Sequence, residues 1–202
     1  MTPDRRAFLL SLLPASLALA ATAAEPGAAV AVIQRFYDAL LAVMKARLGF
    51  DQRYQRLAPA INQTYNLALM CRLAVGPEWQ RFQPAQQRSV ADAFARYTIS
   101  VYANRFDDYS GERFAVDPNP AAGPNGLVVA STLIKPNGEK VTLNYLMRPS
   151  PDGAWQAIDV YLSGTISQLA SQRSEYAGVL QQGGADALVK LLDQHIATLR
   201  TG

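Results

Sequence analysis

Of 202 residues, one is cysteine, Cys71, and one is histidine, His195. A lone thiol excludes an internal disulfide, and with a single imidazole the donor set of a structural zinc site is missing. Ser-His or Cys-His catalysis would have to run through His195 alone, so no catalytic residue, metal or cofactor is expected. Charge is scarce too, at 17% of the chain, with 19 Lys and Arg against 16 Asp and Glu. An excess of +3 is far from the clustered basic footprint that nucleic acid requires, and no nucleic-acid partner is expected. Half of the residues are apolar, which excludes a disordered tail, a coiled coil and a collagen-like repeat. The chain has the length of one ordinary domain and enough apolar residues for one core.

The longest apolar stretch is N-terminal. Arg5-Arg6 precedes a run from Ala7 to Ala24 that Pro14 interrupts and that ends in the small-residue sequence Ala21-Thr22-Ala23. A charged head, an apolar middle and an Ala-x-Ala end describe a cleaved export signal over residues 1–23, followed by a single domain over 24–202. Arg5-Arg6-Ala7-Phe8-Leu9 resembles a twin-arginine signal, an ordinary secretory signal with two arginines being the other reading. Either way the mature protein is expected in the periplasm, cleaved near Ala23.

Within 24–202, Ile33, Phe36, Leu40 and Val43 repeat at helical spacing from Ala28 to Arg47. A short helix over Asp51–Ala58 is expected to stop at Pro59, and Asn66 caps a third that ends at Gly76-Pro77. Pro84 opens a long helix to about Phe106 with Val90, Phe94, Tyr97 and Val101 on one face. The period then changes to two. Residues 128–135 and 140–148 alternate around Pro136-Asn137-Gly138, predicting a hairpin; Ala154–Leu162 predicts a further strand and Glu112–Asp117 a weaker edge strand before a Pro-rich loop over 118–126. Helix returns from Gly164 and breaks at Gly183-Gly184. The expected class is α+β: an antiparallel sheet of about four strands, covered by helices on one face and wet on the other.

Several segments in this order resemble the MlaC, or toluene-tolerance, family of periplasmic lipid-binding proteins. They are Tyr65-Asn66-Leu67 through Gly76-Pro77-Glu78-Trp79, Pro84-Ala85-Gln86-Gln87-Arg88 through Phe94-Ala95-Arg96-Tyr97, Tyr102-Ala103-Asn104-Arg105-Phe106, Trp155-Gln156-Ala157-Ile158-Asp159-Val160, and Gly164 through Gly183-Gly184-Ala185-Asp186. The stretch from Gly164 to Glu175 is most similar to the hopanoid-associated HpnM branch. Tyr65-Asn66 departs from the Phe-Asp usual in the family, and both pairs end in a helix-capping residue. The resemblance implies a cone-shaped domain of cystatin-like or nuclear-transport-factor type, whose curved sheet and helices enclose a cavity for acyl chains. It further implies a carrier, not an enzyme, that moves phospholipid or hopanoid between an inner-membrane transport complex of ABC or RND type and the outer membrane, where a second complex receives it.

The candidate cavity walls are Phe94, Tyr97 and Val101 on the long helix and Leu143, Tyr145 and Met147 on the facing strand, with Tyr161 and Ile166 at the mouth. An ordinary core has the same stripes, and only an observed void separates the two. Lys45, Arg47, Arg53 and Arg56 gather positive charge near the first helix junction, where headgroups or an acidic partner could be met, or where they merely face solvent. Two rival functions stay open: an enzyme using Asp159 with Tyr145 or Tyr161, and an assembly factor without cargo.

Overall fold

The structure is a computed structural model and describes residues 25–124 and 126–201. The signal assigned to residues 1–23 lies outside these residues.

Pro26 opens α1 (Pro26–Lys45), which buries Ile33, Phe36, Tyr37, Leu40 and Val43 along one face. By length and composition α1 could cross a membrane, yet that face is packed into the core. Helix α2 (Phe50–Thr64) runs through Pro59 and does not stop there. A proline inside a helix costs about 3 kcal/mol through its missing N–H and its ring clash. Here Leu57, Ile61 and Thr64 continue one buried face across it, and burial beyond the proline offsets that cost. Asn66 then caps α3 (Leu67–Val75), its side-chain oxygen accepting from the Leu69 N–H at 3.0 Å. Gly76, at φ +70°, ends it in a conformation that a Cβ would strain, and a 3-10 turn leads on to α4 (Pro84–Arg105).

Among the described residues the sheet has six strands, not four: β1 (Arg113–Val116), β2 (Ala121–Gly123), β3 (Gly126–Ile134), β4 (Lys140–Pro149), β5 (Trp155–Leu162) and β6 (Ile166–Ser167). All pairs are antiparallel in the order β1-β3-β4-β5-β6, with β2 also on β3. The two extra strands are three and two residues long, too short to show a period of two. They form because β3 and β5 present unpaired edges beside them. The β3–β4 hairpin turns at Gly138, φ +85°.

One irregularity governs which side chains face inward. Tyr145 pairs with Val160 and Leu146 with Asp159, but Met147 pairs with Ala157, so Ile158 is the extra residue of a β-bulge. Parity along β5 inverts there. Ala157 and Val160 face the helices with Tyr145 and Met147, whereas Asp159 and Tyr161 lie on the opposite face with Leu146 and Asn144.

Helices α1, α2 and α3 pack against the inner face through β5, and α4 packs against α2, α3 and α5. Helix α5 (Gln168–Thr201) is broken at Gly184, φ +60°, ψ −145°. Two polar devices fix its N-terminal half. Asp159 accepts from the Leu169 N–H at 3.2 Å and from the Ser167 hydroxyl at 2.5 Å, and Ser167 Oγ accepts in turn from the Ala170 N–H at 3.0 Å. Arg173 donates through Nε to the Leu73 carbonyl at 3.1 Å, capping the C-terminal end of α3.

Candidate functional site

The inner face of the sheet does not meet α4 everywhere. Between them lies a cavity of about 140 Å³, bounded by Tyr97, Val101 and Tyr102 of α4, Leu143 and Tyr145 of β4, and Val160 and Leu162 of β5. Tyr65 and Met70 close one end, Arg105 is exposed at the rim, and Gln168 and Gln172 of α5 are half-buried in the wall. Tyr65 and Tyr145 are 2% and 1% exposed, which makes them the floor.

The face that begins at Val90 serves two purposes along its length. Val90 and Phe94 are buried in solid core, whereas Tyr97 and Val101, further along α4, border the void. Phe94 is thus not part of the wall, nor is Met147, which is fully buried beside its partner Ala157. Tyr161 was expected at the mouth because it borders the turn at Ser163-Gly164; the bulge leaves it on the face away from the cavity. Ile166 is 55% exposed on β6, paired with the wall residue Leu162. Tyr97, Val101, Leu143 and Tyr145 are the expected wall residues that the fold brings together.

The basic group does not converge on this cavity. The guanidinium of Arg53 is turned inward, its Nε donating to the Ala103 carbonyl at 2.6 Å and its second nitrogen to the Leu48 carbonyl, so it ties α2 to α4. The Lys45 ammonium sits 5.0 Å over the Tyr109 ring. Arg47 is exposed and 3.9 Å from Asp108, and Arg56 is exposed. The cation at the rim is Arg105, which the sequence reading missed although it stands one helical turn beyond Val101 in the Tyr97-Val101 row.

The floor is aromatic and hydroxylated. Tyr37 touches Ser131 at 2.5 Å and Tyr145 at 2.9 Å through its hydroxyl, Ser131 donates to the Leu143 carbonyl at 2.5 Å, and the Tyr65 and Tyr102 hydroxyls meet. Phe36 packs edge-on against both Tyr65 and Tyr102. Burial pushes the Tyr37 phenol up to about 12 against the opposing pull of its bonds to Ser131 and Tyr145. Burial is also the first cause of the rise at Tyr65, Tyr102 and Tyr145. All four stay neutral near neutral pH, and the cavity floor carries no charge.

Of the acid-base pairs considered from the sequence, Asp159 and Tyr145 lie on opposite faces of the sheet, whereas Asp159 and Tyr161 share the face turned away from the cavity, where the Asp159 carboxylate is held by Ser167, Val160 and Leu169 at the start of α5. Cys71 is buried, its thiol pushed up to about 12 by burial. His195 is half-buried, 3.7 Å from Glu175. Among the described residues no group of His, Cys, Asp and Glu could hold a metal ion.

A family model described as MlaC protein matches residues 34–194. The chain belongs to the MlaC family. Its fold is similar to that of a phospholipid-binding protein from Ralstonia solanacearum, solved in complex with a phospholipid. The two share a TM-score of 0.73 and 29% sequence identity, over 85% of this chain and 98% of that one. No match was found among the curated proteins. In this MlaC-family chain, the matched region contains every residue that bounds the cavity.

Proposed function

We propose that this chain is a periplasmic lipid-binding protein that holds acyl chains between α4 and the sheet and carries them from an inner-membrane transport complex to the outer membrane, or back. Its residues 24–202 form the carrier domain and residues 1–23 the export signal. The observation that carries this reading is the apolar cavity between Tyr97-Val101 and Leu143-Tyr145 in a chain of the MlaC family. The phospholipid held by the Ralstonia solanacearum protein supports it. The similarity of residues 164–175 to the HpnM branch favours hopanoid beside phospholipid as cargo.

The need for a carrier follows from transfer energetics. A diacyl lipid has roughly 30 chain methylenes at about 0.8 kcal/mol each, so leaving a bilayer bare costs on the order of 25 kcal/mol. With a prefactor of about 6 × 10¹² s⁻¹ that barrier allows one escape in roughly days. An apolar wall replaces the bilayer as solvent, which makes the exchange nearly balanced, and it needs no nucleophile, metal or proton donor.

At about 140 Å³ the cavity is smaller than the roughly 300–1,000 Å³ of ordinary ligand sites, so loading requires α4 and the sheet to separate. The test is extraction of the purified protein with organic solvent and mass spectrometry of the extract. Stoichiometric phospholipid or hopanoid is the expected result. Protein that carries no lipid and takes none from vesicles would overturn the reading.

A further inference from the structure

Of the fourteen described residues that bound the cavity, Arg105 alone is charged, and none is an acid. Other cations on α1, α2 and α4 are answered within the protein. Arg96 is paired with Asp193 at 2.8 Å, Arg47 stands 3.9 Å from Asp108, and Arg53 donates to the Ala103 carbonyl. The Arg105 guanidinium makes no hydrogen bond or ion pair with any described residue, so its five donors are left to solvent or to a guest. Its charge reaches the cavity wall. Burial raises the phenols of Tyr97 and Tyr102, Glu175 adds to the rise at Tyr97, and Arg105 opposes it at both. The guanidinium therefore stands beside the wall phenols, over the opening. Glu175 is outside the cavity boundary, 3.7 Å from the His195 ring. The amides of Gln168 and Gln172, in the same boundary, add uncharged donors. An apolar interior beneath a rim with one cation and no anion has the charge pattern of an amphiphile with an anionic head.

We propose that the cavity mouth is a headgroup site, in which Arg105 donates to the phosphate of a lipid whose acyl chains lie along Val101, Leu143, Val160 and Leu162. This rests on the carrier reading above and narrows its cargo to phosphate-bearing amphiphiles over uncharged polycyclic lipids. The planar fork of a guanidinium matches two oxygens of one phosphate. An uncharged head leaves that fork hydrated as before and gains nothing from it. Because Arg105 is exposed, the contact is modest in size and weakened by salt.

The experiment measures displacement of an uncharged fluorescent alkyl probe from the delipidated mature protein by hexadecyl phosphate and by hexadecanol, which share one chain and differ in the head. In Arg105→Gln the affinity for hexadecyl phosphate should fall about five-fold, as for one exposed charge pair, while that for hexadecanol stays within about two-fold. Arg105→Lys keeps the charge without the fork and should lie between the two. In the unaltered protein, added salt should weaken hexadecyl phosphate and not hexadecanol. Inorganic phosphate, which brings the anion without a chain, should leave the probe in place; displacement by it would reveal an anion site independent of cargo and overturn the proposal. A fall of the same size for both ligands in Arg105→Gln makes Arg105 a plain wall residue and overturns it, as does no fall for either. Should Arg105→Gln not fold, the salt dependence of the unaltered protein decides alone. If neither ligand displaces the probe and the protein yields no lipid on extraction, it is the carrier reading that has failed.

Discussion

Arg53 and Arg56 are three residues apart on α2, yet their substitutions should differ sharply. Arg53→Ala strips two partly buried carbonyls, those of Ala103 and Leu48, of a charged donor and should lower the unfolding free energy by about 1–3 kcal/mol in urea titration. Arg56→Ala removes an exposed side chain and should stay within about 0.5 kcal/mol. Equal effects would contradict the assignment of Arg53 as a clamp between α2 and α4. Tyr37 supplies a second prediction at this scale, in pH. Its folded-state value of about 12 lies above the usual 10, so below pH 10 both states hold the proton. Between pH 10 and 12 the unfolded chain loses it first, and stability falls as pH rises, by about 3 kcal/mol from this residue alone. Tyr65, Tyr102 and Tyr145 shift in the same direction and steepen the loss. Urea midpoints measured from pH 9 to 12 should drop markedly in the native protein and less in Tyr37→Phe. Tyr65 and Tyr102 were quoted in the sequence only as parts of family segments, because nothing in a residue's spacing tells that phenols from α1, α4, β4 and the residue that ends α2 converge on one floor.

At the scale of elements, the helices were legible where a cap or a period of 3.6 marked them, as at Asn66, Pro84 and the Gly183-Gly184 break. Pro59 misled because local chemistry argues for a stop, while Ile61 and Thr64 beyond it find tertiary burial. At Ile158 the sequence left the faces of β5 open, and the bulge shows why. Alternation assumes unbroken parity, and a single inserted residue reversed the faces of Asp159 and Tyr161 without leaving a mark in the hydrophobic pattern. That reversal gives Asp159 its task at the start of α5. Asp159→Asn keeps the size but weakens the bonds from Ser167 and Leu169, and should cost about 1–2 kcal/mol in thermal or urea unfolding. Gly184 makes a companion test. A Cβ there would meet nothing within 4 Å, so any loss in Gly184→Ala must come from the backbone, at about 1–3 kcal/mol. A neutral result would mean that the last half of α5 adjusts its direction freely.

For the whole molecule, what matters is that a core continuous from Val90 to Phe94 opens into a void at Tyr97, so the same enlargement must have opposite consequences a turn apart. Phe94 is 1% exposed in packed core, and Phe94→Trp should destabilise by about 1–3 kcal/mol through overpacking. Leu143→Trp and Tyr97→Trp add their volume to empty space, and their unfolding free energies should remain within about 1 kcal/mol of the native value. Lipid recovered on extraction should fall steeply in these two variants, since the indole occupies the space from which acyl chains would push α4 away from the sheet. The pairing of readouts is what gives the test its force. Lost lipid with kept stability marks those positions as cargo space, whereas kept lipid with lost stability would show that the space between α4 and β4 is merely an imperfection of the core and that the guest, if there is one, lies elsewhere.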